Sequence, residues 1–373
     1  MPKRVAPQLL FSGFLLLFAC RERAPLRIGV VLDPDGLRGA VMAADDLNAG
    51  GGINGRRLEL RVVNGLSSTS AKDALTAAES LATDATILAV VGHTNSNASL
   101  AASQVYNERH VVQIAPTSTA PLYSHAGPYS FRMVPSDLYQ GEFLAKVVAG
   151  DSPHPRVAVL YENDDYGRSL RGRLAEELAV RDIQPVYDAP ASVVDAITDI
   201  PDIAQAVVRA RPNLIVWIGT EGELRQLLAV VQRSIPHVRV VASDRFSVPR
   251  PHEPNAQVLY GVRYVRFRAA DAASPATRAL TARYERQFHD EHSDQFLLAY
   301  DAVRLLATAI TAVGTERGDI RDYLAGVGTS RPAFASLDGP LRFDANGDPP
   351  PGYHLAEVTS KGSRPIPDAW LDQ

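Results

Sequence analysis

Along this chain, short continuous apolar runs alternate with segments whose apolar residues recur every three or four positions. "RIGVVL" (27–32) reads as a buried strand, and Leu37, Ala40, Val41, Ala44 and Leu47 mark one face of a helix after it. "RRLELRVV" then alternates Leu58, Leu60 and Val62 as a second strand, and Ala71, Ala74, Leu75, Ala78 and Leu81 predict a helix over 71–82. "TILAVVG" (86–92), a helix at 97–109, "VVQIAP" (111–116) and, after a long turn, a helix near 137–149 continue the series. A second series opens with "RVAVLY" (156–161). It continues through a helix at 167–181, "NLIVWIG" (213–219), a helix at 221–234 and "VRVVAS" (238–243). Buried strands alternating with amphipathic helices imply parallel sheets covered on both faces. Two series with a break near 130–156 imply two doubly wound α/β lobes, and 373 residues suit two domains at roughly 100–200 residues each.

The stretch "DDLNAGGGINGRRLEL" (45–60) tests that pattern. Glycines that cradle a phosphate follow a strand and open a helix, whose N–H groups then face the anion. Here they follow a helix and precede a strand, no Lys-Ser/Thr comes after them, and Asn54-Gly55 is a turn pair. The stretch is a helix-to-strand corner.

The N-terminus breaks the alternation. Lys3 and Arg4 precede "LLFSGFLLLFAC", which ends at Cys20 and is followed at once by "RER". A short basic region and an apolar run of this length read as an export signal, too short to span a bilayer comfortably. "LFAC" (17–20) resembles a bacterial lipobox, in which the cysteine is lipidated, although Phe18 is bulkier than the small residue usual there. Cys20 is the chain's single cysteine, so no intramolecular disulfide can form. The sequence elsewhere reads as having no apolar stretch long enough to cross a membrane. The net charge of -4 gives no basic surface for nucleic acid.

Six segments in order resemble the type I periplasmic binding proteins, specifically the Leu/Ile/Val-binding receptors of ABC importers. They are the glycine corner, "VVGHTNSNASLAASQVYNERHVVQIAPTSTAPL" (90–122), "YSFRMVPSDLYQGEFLA" (129–145), "RVAVLYENDDYGRSL" (156–170), "LAYDAVRLLATAI" (298–310) and "LDGPLRFDANGDP" (337–349). The resemblance implies two lobes joined by three crossovers, near 131–140, 262–272 and 338–348, with the ligand between the lobes. It divides the chain into a signal peptide (1–19), a lipidated tether (20–25), an N-terminal lobe (26–135 plus 268–340) and a C-terminal lobe (136–267 plus 341–373). It further implies a monomeric binding protein rather than an enzyme, without cofactor or metal. Such a protein is lipid-anchored on the extracytoplasmic side of a bacterial membrane and hands an amino acid, amide or similar solute to an ABC permease. A ligand-sensing or assembly lipoprotein that kept the fold without transport is the alternative.

Open parallel sheets bind ligands outside the carboxyl ends of their strands. "GHTNSN" (92–97) and "APTSTAP" (115–121) are two such loops. Ser96 is placed to cap the helix that follows, whose N–H groups suit a carboxylate. The resemblance implies that Ser96 contacts an α-carboxylate, and that Thr117, Ser118 and Thr119 lie in the loop that holds both carboxylate and amine. From the second lobe it implies Tyr166 as an aromatic closing over the ligand and Asp244 as the partner of its ammonium, with Thr220 as a looser pocket match. Arg245 offers Asp244 a local pairing instead. One departure stands out: "VVLDPDGLRGA" (30–40) reduces the family's first strand-to-helix loop to a turn at Pro34-Asp35-Gly36, which opens the pocket on that side.

Other chemistry is thin. "FHDEHSD" (288–294) sets His289 and His292 on a helix without zinc-protease spacing, and "DANGD" (344–348) reads as a β-turn rather than a calcium loop. No nucleophile elbow or Walker motif is present.

Overall fold

The computed structural model describes residues 23–63, 70–192, 200–249, 253–267, 274–290 and 292–367. The signal-like segment and Cys20 lie outside them.

The first series builds β1 (Leu26–Val31), α1 (Pro34–Ala49), β2 (Leu58–Val62), α2 (Ala71–Thr83), β3 (Ile87–Gly92), α3 (Ser96–Glu108), β4 (Val112–Ala115) and β5 (Ser130–Arg132). These strands form one parallel sheet in the order β2-β1-β3-β4-β5. The second series builds α4 (Asp137–Asp151), β6 (Val157–Glu162), α5 (Asp165–Val180), β7 (Tyr187–Ser192), α6 (Ile200–Ala210), β8 (Leu214–Ile218), α7 (Glu221–Ser234), β9 (Arg239–Ala242) and β10 (Arg263–Arg266). The chain then returns to the first lobe as α8 (Pro275–Phe288), α9 (Asp294–Val313), α10 (Arg317–Ala325) and the hairpin β11 (Phe334–Ser336) and β12 (Gly339–Leu341). It ends in the second lobe as β13 (His354–Thr359) and β14 (Gly362–Ile366). The second sheet runs β14-β13-β10-β9-β8-β6-β7. Its last two strands are antiparallel, an edge hairpin that the parallel reading did not include.

The two-lobed α/β fold is the one the alternation predicts. The chain passes between the sheets three times: from Arg132 to Asp137, from Arg266 to Pro275, and from Leu341 to His354. Leu341 and Phe343 still pack in the first core, Phe343 against the ring of Phe131 at 5.3 Å.

Helix orientation departs from the simple periodicity in two places. Val41 and Leu75 are each 40% exposed, while Ala43 and Ala77 are buried in their stead. The cause in α1 is a close helix crossing. A Cβ on Gly39 would lie 2.1 Å from the Phe296 carbonyl oxygen, so only glycine lets α1 approach α9 this closely. By length and composition α9 could cross a membrane, against the sequence expectation. It is instead a core helix of the first lobe, with Phe296 through Ile310 largely buried.

The glycine corner follows α1 and precedes β2. Asn48, near the end of α1, clamps Leu58 from both sides: its amide donates to the Leu58 carbonyl at 2.9 Å and its carbonyl accepts from the Leu58 N–H at 2.8 Å. Gly52 has φ +75°, and a Cβ there would meet the Arg56 oxygen at 2.1 Å.

Candidate functional site

The carboxyl ends of both sheets face a cleft of about 1330 Å³ between the lobes. Ser96, Thr117, Thr119, Tyr166, Thr220 and Asp244 all line it. Ser118 does not. It is fully buried, and its hydroxyl bonds that of Ser99 at 2.5 Å, because its side chain turns under the loop.

On the first-lobe wall the two loops are stitched together. Asn95, rather than Ser96, caps α3, accepting from the Ala98 N–H at 2.9 Å. Ser96 opens the helix, and its hydroxyl accepts from the Ala120 N–H at 3.2 Å. Thr117 donates to the Thr94 carbonyl at 2.5 Å. The loop 117–120 is held from behind by Arg132, which is fully buried, forms a two-pronged pair with Asp348, and donates to the carbonyls of Ser118 and Ala120. Asp348 belongs to the "DANGD" turn, which the hydrogen bonds from Asp344 N–H to the Asp348 carbonyl and from Gly347 N–H to the Asp344 carbonyl close. The wall therefore presents fixed hydroxyls and the N-terminus of α3, whose dipole favours an anion.

The second-lobe wall carries charge. Asp244 follows β9, and its Oδ1 accepts from the Tyr166 hydroxyl at 2.5 Å and from the Gln140 amide at 2.7 Å. Asp244 Oδ2 has no hydrogen bond among the described residues. Arg245 does not take the local pairing. Its Nη1 lies 2.6 Å from Glu162 and 2.5 Å from Asp164, and its guanidinium stacks 4.1 Å over the Tyr166 ring. Burial works against that charge, but Asp164, Tyr166 and Glu162 outweigh it and raise the Arg245 pKa. Burial raises the Asp244 pKa too, against hydrogen bonds from Tyr166 and Gln140 that lower it. Thr220 bonds Glu162 at 2.8 Å and Glu223 at 2.7 Å, so its hydroxyl is tied into the same network.

Two polar side chains passed over by the sequence reading sit behind Asp244. Gln140 bridges two acids, donating from one amide nitrogen to Asp244 and, at 3.0 Å, to Asp137 Oδ1. Its carbonyl accepts from the Asp244 N–H at 3.1 Å. Asp137 opens α4, is fully buried, and its backbone N–H donates to the Thr119 carbonyl at 2.8 Å. Burial, then the charge of Asp244, raise its pKa well above the ordinary carboxylate value. Their spacing of three puts Asp137 and Gln140 on one helix face, but nothing local in the sequence tells that face from an ordinary helix start.

The short first loop is present as read. Only Leu32 and Asp33 separate β1 from α1, and Asp33 caps the helix at the Gly36 N–H, 2.8 Å away. Asp33, Pro34, Asp35 and Arg38 form the cleft wall there. His289 ends α8 in the left-handed conformation rather than continuing it, and His292 faces Glu285 at 3.2 Å, so the two histidines do not share a helix face. No group of three or more His, Cys, Asp or Glu among the described residues is placed to hold a metal.

The family model for periplasmic binding proteins matches residues 30–363. The Leu/Ile/Val-binding protein homolog 1 of Brucella suis is 25% identical over 327 residues, covering 85% of this chain and 83% of its own length. An amino acid binding protein of Pseudomonas aeruginosa is 37% identical over 134 residues, 36% of this chain and 35% of its own. Among solved structures, the leucine binding protein LivK of Thermotoga maritima superposes with a TM-score of 0.80 at 20% identity, over 92% of this chain and 98% of that one. A solute binding protein of an ABC transporter from R. palustris, in complex with benzoate, superposes at 0.79 with 15% identity, over 92% and 95%. The chain belongs to the periplasmic binding protein family, as a type I member related to the Leu/Ile/Val-binding proteins.

Proposed function

We propose that this chain is a lipid-anchored extracytoplasmic solute-binding protein that captures an amino acid, amide or similar small polar solute in its inter-lobe cleft and delivers it to an ABC importer. The observation that carries the ligand class is Asp244, an acid on the cleft wall whose neighbouring arginine is committed to Glu162 and Asp164. A desolvated carboxylate needs a partner, and a ligand ammonium supplies one. Across the cleft, Ser96 and Thr119 with the start of α3 offer donors to a carboxylate; Thr117 lines the same loop with its hydroxyl given to the Thr94 carbonyl, and Tyr166 and Thr220 line the opposite wall. The relatives' names support the class, since they include Leu/Ile/Val-binding and amino acid binding proteins. The short first loop, which sets Asp33 and Arg38 on the wall, favours a second reading in which the protein senses a ligand without feeding a permease.

A thermal-shift panel of L-amino acids, their amides and their des-amino acids tests the ligand class. Stabilisation by amino acids or amides is expected. Stabilisation by des-amino acids alone overturns the ammonium role. Anchoring is tested separately: Cys20→Ala should release the protein from membranes or block its processing, and unchanged mass and membrane partitioning would overturn it.

A further inference from the structure

Behind the cleft wall two acids share one amide. Gln140 gives one N–H to Asp137 Oδ1 and one to Asp244 Oδ1. Asp137 Oδ2 is buried with no hydrogen-bond partner among the described residues. No cation is bonded to either acid among the described residues. Arg132 is paired with Asp348, and Arg245 with Glu162 and Asp164. The remaining polar groups facing the pair are two phenols and a threonine. Tyr166 donates to Asp244. Tyr353 donates instead to the carbonyls of Pro135 and Ser136, and so gives nothing to Asp137. Thr119 lies beside Asp137 and favours its anion, as does the N-terminus of α4. Against these stand full burial and a second carboxyl held on the same amide. Like charges this close cannot both ionise freely, and a buried carboxylate oxygen without a donor is costlier than a neutral one.

We propose that the ligand-free pair holds one proton, on Asp137, and that seating a ligand ammonium against Asp244 expels it to solvent, so that capture of a cationic group is coupled to proton release. The inference rests on the ammonium reading of Asp244 and goes beyond it. The balance is simple. The Asp137 O–H bond breaks and its proton leaves for the buffer. The arriving ammonium keeps its own protons and supplies the positive charge that lets both carboxyls ionise. The sign follows from linkage: the bound state holds fewer protons than the free state, so affinity rises with pH, by up to about tenfold per pH unit, and levels off once the free pair is ionised. A ligand without an ammonium releases no proton.

Two measurements test this. The first is titration calorimetry in two buffers of different ionisation enthalpy. The probe is L-leucine, or the L-amino acid giving the largest thermal shift, alongside its des-amino analogue. Release approaching one proton with the amino acid, none with the analogue, and none with Asp137→Asn is expected. Binding of the amino acid by wild type without release overturns the coupling. Equal release and equal affinity for both ligands overturn the ammonium reading beneath it. The second measurement needs neither ligand nor variant: carboxyl carbon NMR of the free wild-type protein. The Asp137 carboxyl should still be protonated at a pH where the protein's exposed aspartates are fully ionised, because burial and the nearby Asp244 charge hold its proton on. A carboxyl already ionised there overturns the proposal.

Discussion

The two walls of the cleft are built on opposite principles. The first-lobe wall opposite Asp244 is hydroxyl-lined and rigid: Ser96, Thr117 and Thr119 sit on loops that bond each other and are pinned by the buried Arg132–Asp348 pair, while Asp33, Asp35 and Arg38 line the cleft at the start of α1. The second-lobe wall is charged: Asp244 under Tyr166, with Asp137 behind and Arg245 neutralised to one side. Loss of one hydroxyl leaves the first wall's other donors in place, whereas loss of Asp244 removes the acid at which Tyr166 and Gln140 are aimed. The difference gives the cleft a direction, and a small zwitterion has the matching polarity.

The sharpest way to break the comparison is Asp244→Asn. Removing one partner of a desolvated charge pair costs about 2–5 kcal/mol, roughly 30- to 4000-fold in affinity for an amino acid. Calorimetry should find an uncharged ligand much less affected, and equal losses for both would show that the second wall does not read charge. On the first wall Ser96→Ala should cost about 1–2 kcal/mol, because the N–H groups at the start of α3 remain. A loss as large as that of Asp244→Asn would make the walls alike. Tyr166→Phe keeps the ring under Arg245 and removes only the bond to Asp244. It should weaken binding by about 0.5–1.5 kcal/mol, with Gln140 still bonded to the acid.

The smallest effect is on the free protein. Asp137 and Asp244 both have raised pKa values in the fold. The unfolded chain therefore binds fewer protons than the native one between about pH 4 and those raised values, and stability falls as pH rises through that window. Asp137→Asn removes part of this penalty, so its melting temperature should gain on wild type as pH rises. A difference that does not change with pH would contradict the buried acid's role.

Much of the fold was legible because its signal is periodic. β1, β3, β6 and β8 are short runs buried on both faces, and α2, α3, α4, α5 and α7 begin and end within about two residues of the places read from the sequence, whereas β7 and α6, between β6 and β8, were not read from it. What was not legible depends on tertiary contact. Val41 and Leu75 face solvent because α1 and α2 offer alanines on more than one side, and packing chose the alanine faces. Ser96 looked like a cap, yet Asn95 one residue earlier reaches the N–H instead. Ser118 sits between two cleft-lining threonines, and only the loop's turn sends it inward. Asp137 and Gln140 read as an ordinary helix start. Their place beneath Asp244 comes from a contact 104 residues away in sequence, which no local pattern encodes.

The most direct test of the central claim is a double cycle by titration calorimetry. Wild type and Asp244→Asn are each titrated with the best-binding L-amino acid and with its des-amino analogue. If Asp244 pairs with the ligand ammonium, the two changes remove the same interaction. The combined loss should then fall short of the sum of the single losses by about 2 kcal/mol or more. Losses that simply add would contradict the account.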